Sequence, residues 1–190
     1  MHVSTGCYEE ASIFGDWVFN CTNGTYSIEC VVAAGMDNLA GKVLVDMANP
    51  LNHSQGFSPV AVTGSMPSLA ESLQQALPEC FVVIALNHLC LPVLSDPASV
   101  NNGTTDLYIC GDDERAKQEV ANLLVHTLGW KNDCIVDLGG LDQARLTEGL
   151  LPLMAQYAVR SGTFKVGMKL FSAPAAPEPE MEHQYEMPTN

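Results

Sequence analysis

The stretch Ser68–Asn87, SLAESLQQALPECFVVIALN, holds a helix, its stop, a strand and a polar strand end in that order. Ser68, after Pro67, is a helix N-cap residue: its hydroxyl accepts from a backbone N–H that the first turn leaves unpaired. Pro78 ends the helix, because proline has no N–H to donate and crowds the preceding turn. The segment CFVVIAL (Cys80–Leu86) is then apolar at every position and does not alternate. Such a run belongs to a strand covered on both faces, as in a parallel sheet with helices on either side. Asn87-His88 closes it with polar side chains.

Working outward, the same pattern recurs. Asp16–Cys21 (DWVFNC), Lys42–Ala48 (KVLVDMA), Thr105–Cys110 (TDLYIC) and Asp133–Leu138 (DCIVDL) have strand length and mostly continuous apolar character. Between them lie helical stretches. In Asp113–Leu128, the residues Ala116, Val120, Leu123, Leu124 and Leu128 recur at helical spacing, acidic residues open the first turn and Gly129 follows as a stop. Ser27–Ala34 and Ser68–Leu77 predict shorter helices, and a final helix spans Asp142 to Arg160, with Pro152 expected to kink or split it. Strands alternating with helices imply β-α-β units and a doubly wound, mostly parallel, Rossmann-like α/β sheet. One domain is expected over residues 1–172. From Ala173 the run APAAPEPEMEHQYEMPTN is rich in Pro and Glu, which predicts a disordered acidic tail over 173–190.

The 190 residues carry a formal net charge of −14, with only 8 Lys and Arg. That balance argues against nucleic acid or an anionic membrane as partner, since both call for clustered positive charge. Apolar runs are broken well short of a membrane span, and the opening residues lack the basic-then-apolar order of a signal peptide. The 7 cysteines include no C-x-x-C pair, and their odd number argues against a closed disulfide framework. Cys21, Cys80, Cys110 and Cys134 lie in or beside apolar runs and read as small buried hydrophobes. A reducing, cytoplasmic setting is expected, in which the N-x-S/T triplets at Asn20, Asn23, Asn52 and Asn102 are chance.

Ligands of open parallel sheets bind beyond the carboxyl ends of the strands. Three consecutive strands end in small polar residues: Thr22-Asn23-Gly24, then Asn49-Pro50, then Asn87-His88. Each group alone is explained by turn chemistry; together they point to a ligand cleft. The histidines show no metal-ligand spacing, and His126 lies on the polar side of its helix. Asp112-Asp113-Glu114 reads as helix capping, not a metal site. Arg145 and Glu148 read as a surface i,i+3 pair. No G-x-G-x-x-G, Walker loop or G-x-S-x-G elbow occurs in the sequence, and Gly139-Gly140 after a strand lacks the dinucleotide-loop spacing.

The series VDMANPL (Val45–Leu51), LPECFVVIALN (Leu77–Asn87), CGDDERAK (Cys110–Lys117) and DLGGLDQAR (Asp137–Arg145) resembles, in order and spacing, the NADP oxidoreductases that use a deazaflavin coenzyme. It is more similar still to their bacterial relatives, the NADPH-dependent reductases. Matching segments run from GCYEEAS (Gly6–Ser12) to about Phe171. Ile84 stands where many relatives carry Lys, and His88 where Thr is common. The resemblance implies NADP as cofactor and hydride transfer to a flavin-like or other small electron acceptor. By match, Thr22, Asn23 and Gly24 would line the dinucleotide, Asn49 and Pro50 would sit near its nicotinamide end, and Asn87 would face the acceptor. The family's first strand and glycine loop have no counterpart here. The expectation is therefore a truncated reductase domain, or a shortened relative, in which Val3–Cys7 is a strand without its neighbour and the edge of Asp16–Cys21 is bare. NADPH binding is expected to be weak or absent for the same reason. The alternative is a non-catalytic α/β module that associates with a partner, a second copy of itself included.

Overall fold

A computed structural model describes residues 3–52, 54, 60–61 and 67–173. Residues 174–190, on which the tail expectation falls, and His2, His53 and His183 lie outside the described residues. In chain order the elements are α1 (Tyr8–Phe14), β1 (Trp17–Asn20), α2 (Ser27–Ala33), α3 (Met36–Leu39), β2 (Val43–Asp46), β3 (Leu51–Asn52), β4 (Val60–Ala61) and α4 (Leu69–Ala76). Then follow β5 (Phe81–Ile84), α5 (Leu91–Ser95), β6 (Leu107–Gly111), α6 (Glu114–His126), β7 (Ile135–Asp137), α7 (Ala144–Glu148) and α8 (Leu150–Ser161). The five strands expected from the sequence form one sheet in the order β1-β2-β5-β6-β7, and β3 pairs antiparallel with β4 beside it.

Both faces of that sheet are buried. Leu44, Val82 and Ile84 pack with Val31, Leu39, Leu73 and Leu141 on one face. Val43, Val45 and Val83 point the other way, to Val120, Leu124 and Trp130. This two-sided burial is why the strands read as continuous apolar runs. At roughly 25 cal/mol per Å² of apolar surface removed from water, these two layers are the main favourable term holding the domain.

β1, β2 and β5 run parallel, in register Phe19↔Val45↔Val83. β6 then runs antiparallel to β5, and β7 parallel to β6. The sheet is mostly parallel, as expected, but the β-α-β rule fails at this step. The connection from Ala85 to Asp106 holds a five-residue helix and two 3₁₀ turns, too little helix to form a covering crossover. It starts at Leu86, whose φ of +64° turns the chain sharply out of the strand.

The helix ends follow capping chemistry. Ser68 Oγ accepts from the Glu71 N–H at 3.1 Å, and Glu71 Oε2 accepts from the Ser68 N–H at 2.7 Å, a reciprocal capping box. Asp113 caps α6 by accepting from Ala116 N–H at 2.7 Å. The last helical stretch is split at Gly149, which places Pro152 in the first turn of α8, where its missing N–H has no intrahelical partner to lose. Beyond α8 the chain runs back as a strap. Asp106, buried at the start of β6, accepts from Lys169 Nζ and from Leu170 N–H, each at 2.8 Å.

Two expectations are corrected. Val3–Cys7 forms no strand; it leads into α1, whose start is closed by Glu10 Oε2 accepting from the Cys7 N–H at 2.8 Å. Cys80, Cys110 and Cys134 are buried as expected, but Cys21 is exposed, because β1 stops at Asn20 and Cys21 is the first residue outside the sheet.

Candidate functional site

Because β1, β2 and β5 are parallel neighbours, their carboxyl ends lie side by side at one edge of the sheet. The three loops singled out in the sequence therefore meet. Gly24 is buried directly against the Asn49 carbonyl and the Pro50 nitrogen; a Cβ there would overlap both. Asn49 Nδ2 donates to the Asn87 carbonyl at 2.7 Å, and Asn87 Nδ2 donates back to Asn49 Oδ1 at 3.1 Å. This reciprocal amide pair joins the loop after β2 to the loop after β5.

Not every predicted residue points outward. Thr22 is half-buried, with its hydroxyl donating to Asn20 Oδ1 at 2.7 Å. Asn23 is exposed, and its Oδ1 accepts from the Thr25 N–H at 2.9 Å, a local turn. Asn49 and Pro50 are partly exposed at the mouth. Asn87 is buried: beyond Asn49 it donates to Thr147 Oγ1 at 3.2 Å, and His88 Nδ1 lies 3.3 Å from its Oδ1. Its side chain is therefore committed to tying loops and α7 together.

Four further groups stand at this edge: Asp46 and Ser27 went unread in the sequence, and Glu148 and His88 were read otherwise. Asp46, the end of β2, is fully buried, and its Oδ1 accepts from Asn20 Nδ2 at 2.7 Å. Burial pushes its carboxyl up to about 7, hydrogen bonds from Ala48 and Asn20 opposing and the charge of Glu148 adding. Ser27 lies beneath, its hydroxyl accepting from Asn20 Nδ2 at 2.5 Å. Glu148, expected to form a surface pair with Arg145, is instead buried and caps α4, accepting from Leu69 N–H at 3.1 Å and Ala70 N–H at 3.4 Å. Burial raises its carboxyl as well, with Arg145 among the opposing influences. His88 is 2% exposed, its ring tilted against Tyr108 at 5.1 Å, and burial pulls it down to about 4, so it is a neutral core residue at ordinary pH. The available signals were an aspartate inside the apolar run KVLVDMA and an Asn at the end of WVFN.

The other strand-end motifs lie at the opposite edge, because β6 and β7 are reversed relative to β5. Asp112 Oδ1 accepts from Leu141 N–H at 2.8 Å, and Glu114 pairs with the buried Lys117, which also reaches Asp137 Oδ2 at 2.8 Å. Each is thus a structural tie, but of the three acids read as capping only Asp113 caps α6. Among the described residues no group of three His, Cys, Asp or Glu could hold a metal ion, and no helix is long and apolar enough to cross a membrane.

No protein-family model matches the chain. It is 30% identical over 135 residues to the F420-dependent NADP reductase of Methanocaldococcus jannaschii, covering 70% of this chain and 58% of that protein. It is 34% identical over 130 residues to the metalloreductase STEAP3 of Rattus norvegicus, covering 66% of this chain but 22% of that protein. The chain thus spans little more than half the length of one curated relative and about a fifth of the other. A crystal structure attributed to an F420-dependent NADP reductase of Arthrobacter sp. FB24 superposes with a TM-score of 0.81 at 36% identity, covering 88% of this chain and 74% of that one. A Sinorhizobium meliloti protein of unassigned function matches at a TM-score of 0.51 and 26% identity over 74% of this chain and 62% of that one.

Proposed function

The chain belongs to the family of F420-dependent NADP reductases, and on that premise we propose that it acts in an NADPH-dependent oxidoreductase, with hydride passing between NADP(H) and a flavin-like or other small acceptor. The observation that carries the reading is the meeting of three strand-end loops at one edge, with Gly24 packed onto Asn49-Pro50 and Asn49 bonded to Asn87. The residues there suit a dinucleotide: small, uncharged, and rich in backbone groups able to approach a sugar or an amide. Thr22, Asn23 and Gly24 would hold the dinucleotide, and Asn49-Pro50 its nicotinamide end. Asn87 would set the loop on the acceptor side from behind.

When bound, the nicotinamide supplies the hydride chemistry, so the protein needs no acid–base pair of its own. This chain's residues bind and orient. The amide pair keeps the second and third loops at fixed separation, and neutral His88 fills the base of the third loop without adding charge. A reducing, cytoplasmic setting agrees with seven free cysteines.

The test is calorimetric titration of the chain with NADPH, followed by NADPH oxidation with a deazaflavin or flavin as acceptor. Weak, saturable binding is expected, given the absence of G-x-G-x-x-G from the sequence. No heat and no oxidation up to millimolar NADPH, either from this chain or from a version extended at its N-terminus by a strand and G-x-G-x-x-G loop, would sink the reading.

A second reading, association with another copy or a partner, is favoured by the β1 side. Among the described residues β1 bonds to β2 alone, and Phe14 (85% exposed), Ile13, Phe19 and Tyr26 stand open beside it. An apolar sheet edge of this kind invites pairing. Sedimentation that shows a monomer at high concentration would count against self-association.

A further inference from the structure

The VDMANPL segment contains one charged residue that the cofactor reading leaves unused. Asp46 has no solvent exposure, yet it sits where the first two loops begin. Its Oδ1 accepts from Asn20 Nδ2 at 2.7 Å and from the Ala48 N–H at 3.2 Å. Asn20 Oδ1 in turn accepts from the Thr22 hydroxyl at 2.7 Å and the Thr22 N–H at 3.3 Å. One carboxyl oxygen therefore ties residues 20–24 to residues 47–50, with Met47 N–H donating to the Asn20 carbonyl at 3.0 Å alongside. The other oxygen, Oδ2, is buried and meets no donor among the described residues.

An asparagine would supply the same acceptor to Asn20 and Ala48 without any charge to bury. What an aspartate adds is ionisation, and an ionised carboxylate with one oxygen unbonded in the core is strongly disfavoured. Relief needs water or a donor at Oδ2, and the two loops that Asp46 ties together are what would have to give.

We propose that Asp46 is a positioning residue for the cofactor: through Asn20 it sets Thr22, through Ala48 it sets Asn49-Pro50, and its ionisation loosens both. This rests on the cofactor reading above. Among the described residues, the titratable or charged groups bearing on it are Cys21 just beyond β1 and Glu148 of α7, the latter faced by Arg145. Glu148 adds like charge, which reinforces the effect. Burial brings the Asp46 titration to about 7, within the working range of a cell. Its charge also reaches the exposed Cys21 thiol, which desolvation first and then Asp46 raise. Cys21 is therefore a reporter that needs no cofactor.

The experiment compares the unaltered chain with Asp46→Asn and Asp46→Leu. Iodoacetamide labelling of Cys21 is followed against pH and read by peptide, so that Cys7 and Cys30 do not contribute. NADPH affinity is measured from pH 6 to pH 8. Asp46→Asn is expected to move the Cys21 labelling midpoint to lower pH. It should also remove a roughly tenfold loss of NADPH affinity between pH 6 and pH 8, the size of one unit of linkage. Asp46→Leu, lacking the acceptor, should bind more weakly at every pH, and the Asn variant should restore binding. Identical labelling and affinity profiles for the unaltered chain and Asp46→Asn, with NADPH still bound, would overturn the inference alone. A moved Cys21 midpoint with no NADPH bound by any version would defeat the cofactor reading, and the positioning role with it.

Discussion

His88 and Asp46 make stability respond to pH in opposite directions over the same window, so each conceals the other. Burial holds His88 at about 4 against an ordinary 6.5. The folded chain refuses a proton that the unfolded chain takes, so this contribution is complete above pH 6.5 and lost as pH falls toward 4. Asp46 is held at about 7 against an ordinary 3.8. There the folded chain keeps a proton that the unfolded chain releases, so the contribution is complete below pH 3.8 and lost as pH rises to 7. Each slope is about 1.4 kcal/mol per pH unit, so over its full window His88 is worth roughly 3 kcal/mol and Asp46 roughly 4. Between about pH 4 and 6.5 the two cancel. Urea unfolding of the unaltered chain, Asp46→Asn and His88→Gln at half-unit steps through that window separates them. Relative to the unaltered chain, Asp46→Asn should gain about 1.4 kcal/mol per unit as pH rises, and His88→Gln the same as pH falls. Taking differences removes the other titrating groups, Glu148 included. Difference curves that are flat, or that slope the same way, would refute the burial assigned to these side chains.

Gly24→Ala should cost about 1–3 kcal/mol in urea, because its methyl would overlap the Asn49 carbonyl and Pro50 nitrogen; an unchanged midpoint would show that the loops do not pack this way. Glu148→Ala should cost about 2 kcal/mol and speed amide exchange at Leu69 and Ala70, which lose their shared acceptor. Exchange confined to α7 would argue against the cap. Asp106→Ala should release the strap that Lys169 and Leu170 fasten, and trypsin should cut at Lys165 and Lys169 several-fold faster. An unaltered cleavage rate would place the strap's anchorage elsewhere.

The five strands of the main sheet were legible within one or two residues, because a strand buried on both faces leaves an unbroken apolar run such as CFVVIAL, and no partner need be known to recognise it. Caps at Ser68 and Asp113 were legible for the same reason, since each bonds a backbone N–H three residues along. The direction of β6 was not, because composition is the same for either sense and only the short Ala85–Asp106 connection decided it. The loops at Thr22, Asn49 and Asn87 could be named from the sequence as polar strand ends. Their union could not be: Asn49 and Asn87 are 38 residues apart, and Glu148 lies 79 from the N–H it caps. The same limit hid Asp46 and His88, whose chemistry comes from losing water. Local spacing writes periodicity and capping into the chain itself, whereas burial and distant hydrogen-bond partners exist only once the sheet has closed around them.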